Sequence, residues 1–180
     1  MRLVLIDGSN LYESARASGI RLDYKRLLEL INEDEQLLRA YYFTALRAKE
    51  IESPVRKTVD WLRHNGYVCV TKETREFQET VSVYNTVSKE VETKTITKVK
   101  GNVDVDIASY AFINASLVNE IWLFSGDGDF TVMVKMLQER YALKVFVVSS
   151  MGLVATELRA QADKYIDLSD IREYIKKEVG

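Results

Sequence analysis

The chain has 180 residues, 47% of them hydrophobic, and its 25 Lys+Arg nearly balance 27 Asp+Glu for a net charge of −2. That content suits a globular domain with a real core and excludes both intrinsic disorder and a uniformly basic nucleic-acid coat. A lone cysteine, Cys69, excludes an internal disulfide and a Cys-based zinc site. No apolar run approaches the roughly 18 residues that a membrane helix needs, and a strand beginning at residue 2 leaves no room for a signal peptide. A cytoplasmic setting without a membrane is expected. With one proline, Pro54, no Gly/Ser linker and no repeat, residues 1–180 read as a single domain.

In chain order, the aliphatic run at residues 2–6 is a buried strand ending at Asp7-Gly8. Residues 9–18 form a helix that Gly19 stops. Asp23 caps a second helix with Tyr24, Leu27, Leu28 and Ile31 on one face. Residues 37–46 are the next strand. Ser53 caps, and Pro54 opens, a helix whose stripe is Val55, Val59 and Leu62 and whose stop is Asn65-Gly66. Trp61 reads as core, as does Trp122, while His64 sits at the helix end as a surface residue. Residues 67–70 are a short strand.

Residues 103–117 follow as a helix with Val105, Ala108, Phe112 and Ala115 inward. A strand at residues 121–124 leads through Ser125-Gly-Asp-Gly-Asp-Phe130 into a helix reaching Arg140. Residues 143–148 are a strand, residues 155–162 a short helix and residues 165–168 a last strand, after which Ser169 caps a terminal helix. Strands alternating with helices predict an α/β class fold, a Rossmann-like three-layer α/β/α sandwich with a mostly parallel sheet and right-handed crossovers.

Residues 77–99 break that rhythm. More than half of residues 80–99 are Val, Ile or Thr, which predicts a β-hairpin insertion at the domain edge. It suits a sheet extension or a contact between two copies in a homodimer. The second use is a substrate-gripping arm, in which Lys89, Lys94, Lys98 and Lys100 meet phosphates.

Ligand sites of open α/β sheets lie beyond the carboxyl ends of the strands. Asp7 takes that position on the first strand, and Asp127 and Asp129 take it after residues 121–124. Asp104 and Asp106 open the helix that leads into the latter strand. If those strands are neighbours, the carboxylates converge, and two of them ~5 Å apart repel by about 3 kcal/mol at an effective dielectric near 20. Such a group needs basic side chains, shared protons or a divalent cation. Hard oxygen donors without His or Cys suit Mg²⁺ or Mn²⁺, and such a metal suits a phosphodiester substrate.

Each aspartate also has a plainer use: Asp7 and Asp127 as helix caps, Asp104 as a partner of its helix dipole. Asn10, three residues after Asp7, reaches the same rim as a hydrogen-bond donor. Ser9 and Ser125 either hold the aspartates or bind phosphate oxygens, and Lys100 stands at the edge to orient a scissile phosphate.

Three segments then resemble, in order, the motifs of NYN domains, the LabA-like branch of the PIN-like nucleases: Leu5-Ile-Asp-Gly-Ser-Asn-Leu11, Lys100-Gly-Asn-Val-Asp-Val105 and Ser125-Gly-Asp-Gly-Asp-Phe130. Glu157-Leu-Arg-Ala-Gln-Ala-Asp-Lys-Tyr-Ile-Asp-Leu168 is similar to the family's closing segment. The resemblance implies a PIN-like fold and Mg²⁺- or Mn²⁺-dependent endoribonuclease activity on RNA, single-stranded or structured. By motif, the acidic site carries over to Asp7, Asp104, Asp127 and Asp129, with Asn10 beside them and Asp163 in the closing segment. Two departures stand out: Asn102 is an extra residue in the second motif, and Tyr110 occupies a position where many members carry an Asp. Asp106 is the nearby acid that can replace it. The alternative on the same fold is an RNA-binding or regulatory module with weak or no catalysis. A Toprim-type enzyme ranks lower, because Asp7-Gly8 stands where that group expects Glu.

Overall fold

The computed structural model describes residues 1–47, 52–85 and 90–178. β1 (Arg2–Asp7) is buried along its whole length, as a strand covered on both faces must be. Leu3 and Leu5 point into one apolar layer, and Val4 and Ile6 into the other. α1 (Gly8–Ala17) follows directly, and α2 (Tyr24–Ile31) is capped by Asp23, whose carboxylate accepts from the backbone N–H of Lys25 and Arg26. Next come β2 (Leu37–Arg47) and α3 (Pro54–His64), the latter capped by Ser53.

β3 (Val68–Asn85) runs much further than the short strand expected at residues 67–70. It pairs with β2 as far as Thr74 and from Arg75 onward with β4 (Glu90–Lys100), antiparallel. The hairpin expected at residues 77–99 is therefore an outgrowth of a sheet strand. Residues 86–89, with Lys89, lie outside the described residues, as do the side chains of Lys94, Lys98 and Lys100. The chain continues through α4 (Asp104–Asn114), β5 (Glu120–Phe124), α5 (Thr131–Tyr141), β6 (Lys144–Ser149), α6 (Thr156–Gln161), β7 (Lys164–Asp167) and α7 (Arg172–Ile175).

The sheet order is β4-β3-β2-β1-β5-β6-β7, parallel throughout except for β4. Residues of α4, α5 and α6 fill the layer on one face, and residues of α1, α2, α3 and α7 the layer on the other. This is the three-layer α/β/α sandwich expected. No helix among the described residues is long and apolar enough to cross a membrane.

Some side chains face otherwise than expected. Val105 is 73% exposed, and α4 instead buries Ile107, Ala111 and Asn114, with Ala108 and Phe112 half-buried. Beyond its first turn α4 is apolar on nearly every side, so its pattern does not fix which side faces in. Val55 and Trp61 are exposed on α3, which buries only Val59 and Leu62. Ser169 caps no helix: its N–H and hydroxyl both bond Asp167 Oδ1, and α7 begins only at Arg172.

At the amino end of the sheet, buried Arg2 ties β1 to β5. Its Nε lies 2.6 Å from Glu120 Oε1, its guanidinium stacks 4.4 Å from the centre of the Trp122 ring, and it donates to the Ile31 carbonyl. Trp122 Nε1 donates to the same Glu120 oxygen at 2.6 Å. Removing one partner of a buried pair strands the other charge, so Glu120→Ala should destabilise the fold by about 3–5 kcal/mol. Urea unfolding measures it, and a loss under about 1 kcal/mol, the range of a surface pair, would show that Arg2 is not held by this pair.

Candidate metal centre

The chain leaves β1 toward β2 and later returns to β5 on the opposite flank of β1. Ligands of open α/β sheets sit outside the carboxyl ends of strands where the order reverses in this way. Three segments meet there: the β1–α1 junction, residues 125–129, and the start of α4. Together they border a groove of about 840 Å³ lined by Asp7, Asn10, Glu13, Asp104 and Asp127 among others.

Asp7 is buried and caps α1. Its Oδ1 accepts from the N–H of Ser9 and of Asn10, both at 3.1 Å, and from the Ser9 hydroxyl at 2.8 Å. All three bonds fall on one oxygen, leaving Oδ2 outside the cap. The capping use and a place on the groove are thus compatible. The next residue has to be glycine, because a Cβ at Gly8 would lie 2.5 Å from Cζ of the buried Tyr42 ring.

Asn10 joins two of the segments. Its Oδ1 accepts from the Gly126 N–H at 2.9 Å, so its carbonyl, rather than the donor end expected, does the positioning. Gly126 in turn receives the Ala155 N–H on its own carbonyl at 2.8 Å, and a Cβ there would come within 2.4 Å of the Leu153 carbonyl oxygen. Ser125 is fully buried, with its Oγ taken by the Asp127 N–H at 3.3 Å. It holds the loop and is closed to a phosphate, correcting that part of its expected role. Ser9 holds Asp7.

Asp127 Oδ1 accepts from the Asp129 N–H at 3.0 Å and opens the 3-10 turn Gly128–Phe130, which runs into α5. Across the groove, Asn102 Oδ1 accepts from the Asp104 N–H at 2.8 Å. The extra residue of the second motif therefore holds the N–H of the first residue of α4. The result is a cluster in which carboxylate oxygens of Asp104, Asp127 and Asp129 lie within 4.8 Å of one another. Asp7 borders the same groove but stands outside that group. Lys100 precedes the groove-lining Gly101 in the chain.

Asp106 and Tyr110 contribute no further ligand. Asp106 is paired with Lys72 Nζ at 2.7 Å, and the same ammonium donates to the Asn102 carbonyl at 3.2 Å. Tyr110 packs into the core, its ring 4.8 Å from Tyr41 and 5.5 Å from Phe43. Asp163 serves the scaffold, accepting from the Val145 N–H and from Gln138, each at 2.8 Å. Lys72, which braces the loop before α4, had no signal in the sequence, since nothing there brings β3 beside α4.

Among the described residues no Lys, Arg or His pairs with Asp7, Asp104, Asp127 or Asp129. Burial raises the Asp104 carboxyl above the ordinary range, its hydrogen bond with Asn102 opposes this, and the charges of Asp127, Asp7 and Asp129 add to the rise. A compact all-oxygen set with no ion-paired base among the described residues fits a hard divalent cation. It also fixes the sign of a pH effect. A raised folded-state pKa makes ionised Asp104 a cost to stability, absent in acid and fully present once pH exceeds the raised value. Without divalent cation, Asp104→Asn should therefore raise Tm near pH 7, with the gain vanishing as pH falls below about 4. Thermal melts across pH test this, and a lower Tm at neutral pH would refute it.

Comparison with known proteins agrees with this arrangement. The NYN domain family model matches residues 3–170. The "Low amplitude and bright protein LabA" of Synechococcus elongatus is 32% identical over 176 residues, covering 97% of this chain and 87% of that protein. The crystal structure of a protein of unknown function from Vibrio parahaemolyticus superposes with a TM-score of 0.71 over 94% of this chain and 93% of that one, at 24% identity, and shares the fold. With its acidic motifs gathered on one rim and the family model spanning nearly its whole length, the chain belongs to the NYN domain family.

Proposed function

We propose that the protein is a metal-dependent endoribonuclease that hydrolyses RNA phosphodiester bonds at the acidic groove, using Mg²⁺ or Mn²⁺. The observation that carries this reading is the approach of Asp104, Asp127 and Asp129 to within 4.8 Å on an open rim, in a family made up largely of nucleases. Asp104, Asp127 and Asp129 would hold the cation, with Asp7 beside them. A divalent ion bound there stabilises charge on phosphate oxygens and lowers the pKa of water.

The rest is the work of the chain. The Asn10–Gly126 bond keeps the Asp7 and Asp127 segments in fixed relation, and Asn102 sets the start of α4. Lys100, which precedes the groove-lining Gly101 in the chain, would orient the scissile phosphate. Such preorganisation matters because hydrolysis by hard metals depends on placing the phosphate in line with the attacking oxygen.

A second reading, an RNA-binding module without turnover, draws on Tyr110 and Asp106. The first is an aromatic core residue and the second is neutralised by Lys72, so neither position adds an acid to the cluster.

Incubating single-stranded and stem-loop RNA with Mn²⁺, Mg²⁺ or EDTA separates the two. Wild type should cut with either metal and stop in EDTA, and Asp127→Asn should lose about a hundredfold or more, since even outer-shell changes cost up to that much. Mn²⁺ should raise the Tm of wild type and leave that of Asp127→Asn unmoved. Wild type that binds RNA and leaves it uncut under every condition would replace the enzyme with the binding module.

A further inference from the structure

A second concave surface lies along α1, lined by residues other than those of the acidic groove. It is a cleft of two adjoining lobes, of about 540 and 400 Å³, whose linings share Leu22, Tyr24, Thr58 and Lys177 and draw on α1 and α3. Its charge is opposite to that of the groove. Arg16 and Arg21 line one lobe, Lys57 the other and Lys177 both, while the single lining acid, Asp23, is occupied in capping α2. Arg21, Lys57 and Lys177 form no ion pair among the described residues, and Arg16 has only a solvent-exposed contact with Glu13 at 3.6 Å. In a chain of net charge −2, this is a local concentration of cations.

Two exposed aromatic rings stand among them, Tyr12 at 58% and Trp61 at 42% exposure. Tyr12 and Arg16 are four residues apart on α1, and Lys57 and Trp61 four apart on α3. Each helix thus presents an aromatic and a cation on one face toward the cleft. Trp61 is the residue expected in the core and found outside it, and this setting gives its exposure a use. The cleft also adjoins the acidic groove: Glu13 lines the groove and contacts Arg16, which lines the cleft. Tyr12 follows Asp7 by five residues, about 8 Å of helix rise.

We propose that this cleft binds single-stranded RNA extending from the acidic groove, with bases stacked on Tyr12 and Trp61 and phosphates met by Arg16, Arg21, Lys57 and Lys177. The proposal rests on RNA being the substrate, as read above. Interleaved aromatic rings and cations are how proteins hold unpaired strands without reading their sequence, and a duplex, with its bases stacked internally, offers nothing to the rings.

The test is fluorescence anisotropy of a labelled oligouridylate in EDTA, which removes cleavage from the measurement. Trp61→Ala should weaken binding about tenfold, with Trp61→Phe recovering most of the loss. The pair Lys57→Gln with Lys177→Gln should weaken it and flatten its salt dependence. These side chains are on the surface, and circular dichroism verifies that each variant is folded. Unchanged affinity in Trp61→Ala and in the lysine pair, or no binding by wild type at low salt, overturns the cleft. Loss of affinity in those variants while wild type cuts nothing sustains the cleft and removes the nuclease. Cleavage that depends on Asp127 with affinity indifferent to the cleft variants does the reverse.

Discussion

Three carboxylates held within 4.8 Å of one another, with no basic partner among the described residues, set the terms for the rest of this molecule. Like charges at that separation push their loops apart, so the loops must be held by something other than the side chains that carry the charge. Side-chain acceptors that grip backbone N–H groups do this. Asp7 gives one oxygen to the first turn of α1, Asn102 takes the Asp104 N–H, Asn10 takes the Gly126 N–H, and buried Ser125 takes the Asp127 N–H. Each bond fixes a loop through its main chain and leaves carboxylate oxygens facing the groove. The Asp104 carboxyl is raised above its ordinary range, first by burial and then by the charges of Asp127, Asp7 and Asp129.

Rigidity at the rim depends on rigidity further down. β1 is enclosed on both faces, and its amino end is locked to β5 by Arg2, Glu120 and Trp122. At the carboxyl end the same two strands are joined by the Asn10–Gly126 bond, so their ends are set relative to each other at top and bottom. Gly8 and Gly126 are the points of closest approach, one against the Tyr42 ring and the other against the Leu153 carbonyl. The burial that pushes the Tyr42 phenol far above its ordinary pKa marks how densely the helix layer fills beneath the Asp7 turn.

Much of this was legible in the sequence. Aliphatic runs ending in Asp7-Gly8 and Ser125-Gly126 announce strands whose carboxyl ends carry acids, and the rule that open sheets bind ligands there places Asp7, Asp104, Asp127 and Asp129 on one rim. What stayed hidden depended on three-dimensional neighbours. Period alone cannot phase α4, because Val105, Phe112 and Ile113 are as apolar as Ile107 and Ala111. Trp61 reads as core by type, yet α3 needs only Val59 and Leu62 to cover its side of the sheet. The Lys72–Asp106 pair joins residues far apart in the chain, and Asn10 looked like a donor because nothing local shows that the Gly126 N–H needs an acceptor.

The near-neutral composition conceals a division that runs along α1. One side of the helix borders a rim of carboxylates, the other a cleft of arginines and lysines, and Glu13 and Arg16 meet at the boundary. A polyanion approaching the rim alone would meet repulsion, and on the proposed reading a divalent cation would convert that rim from negative to attractive. The proposed cleft site needs no such change: its cations would meet phosphates directly, and its exposed rings would give unpaired bases a surface to stack on. On the proposed reading, capture and hydrolysis are separable in this architecture: affinity for the strand would be set beside α3, and the metal requirement would be confined to the crevice between β1 and β5. The Asn10–Gly126 bond, which holds the start of α1 to the β5 loop, keeps the two in a fixed relation.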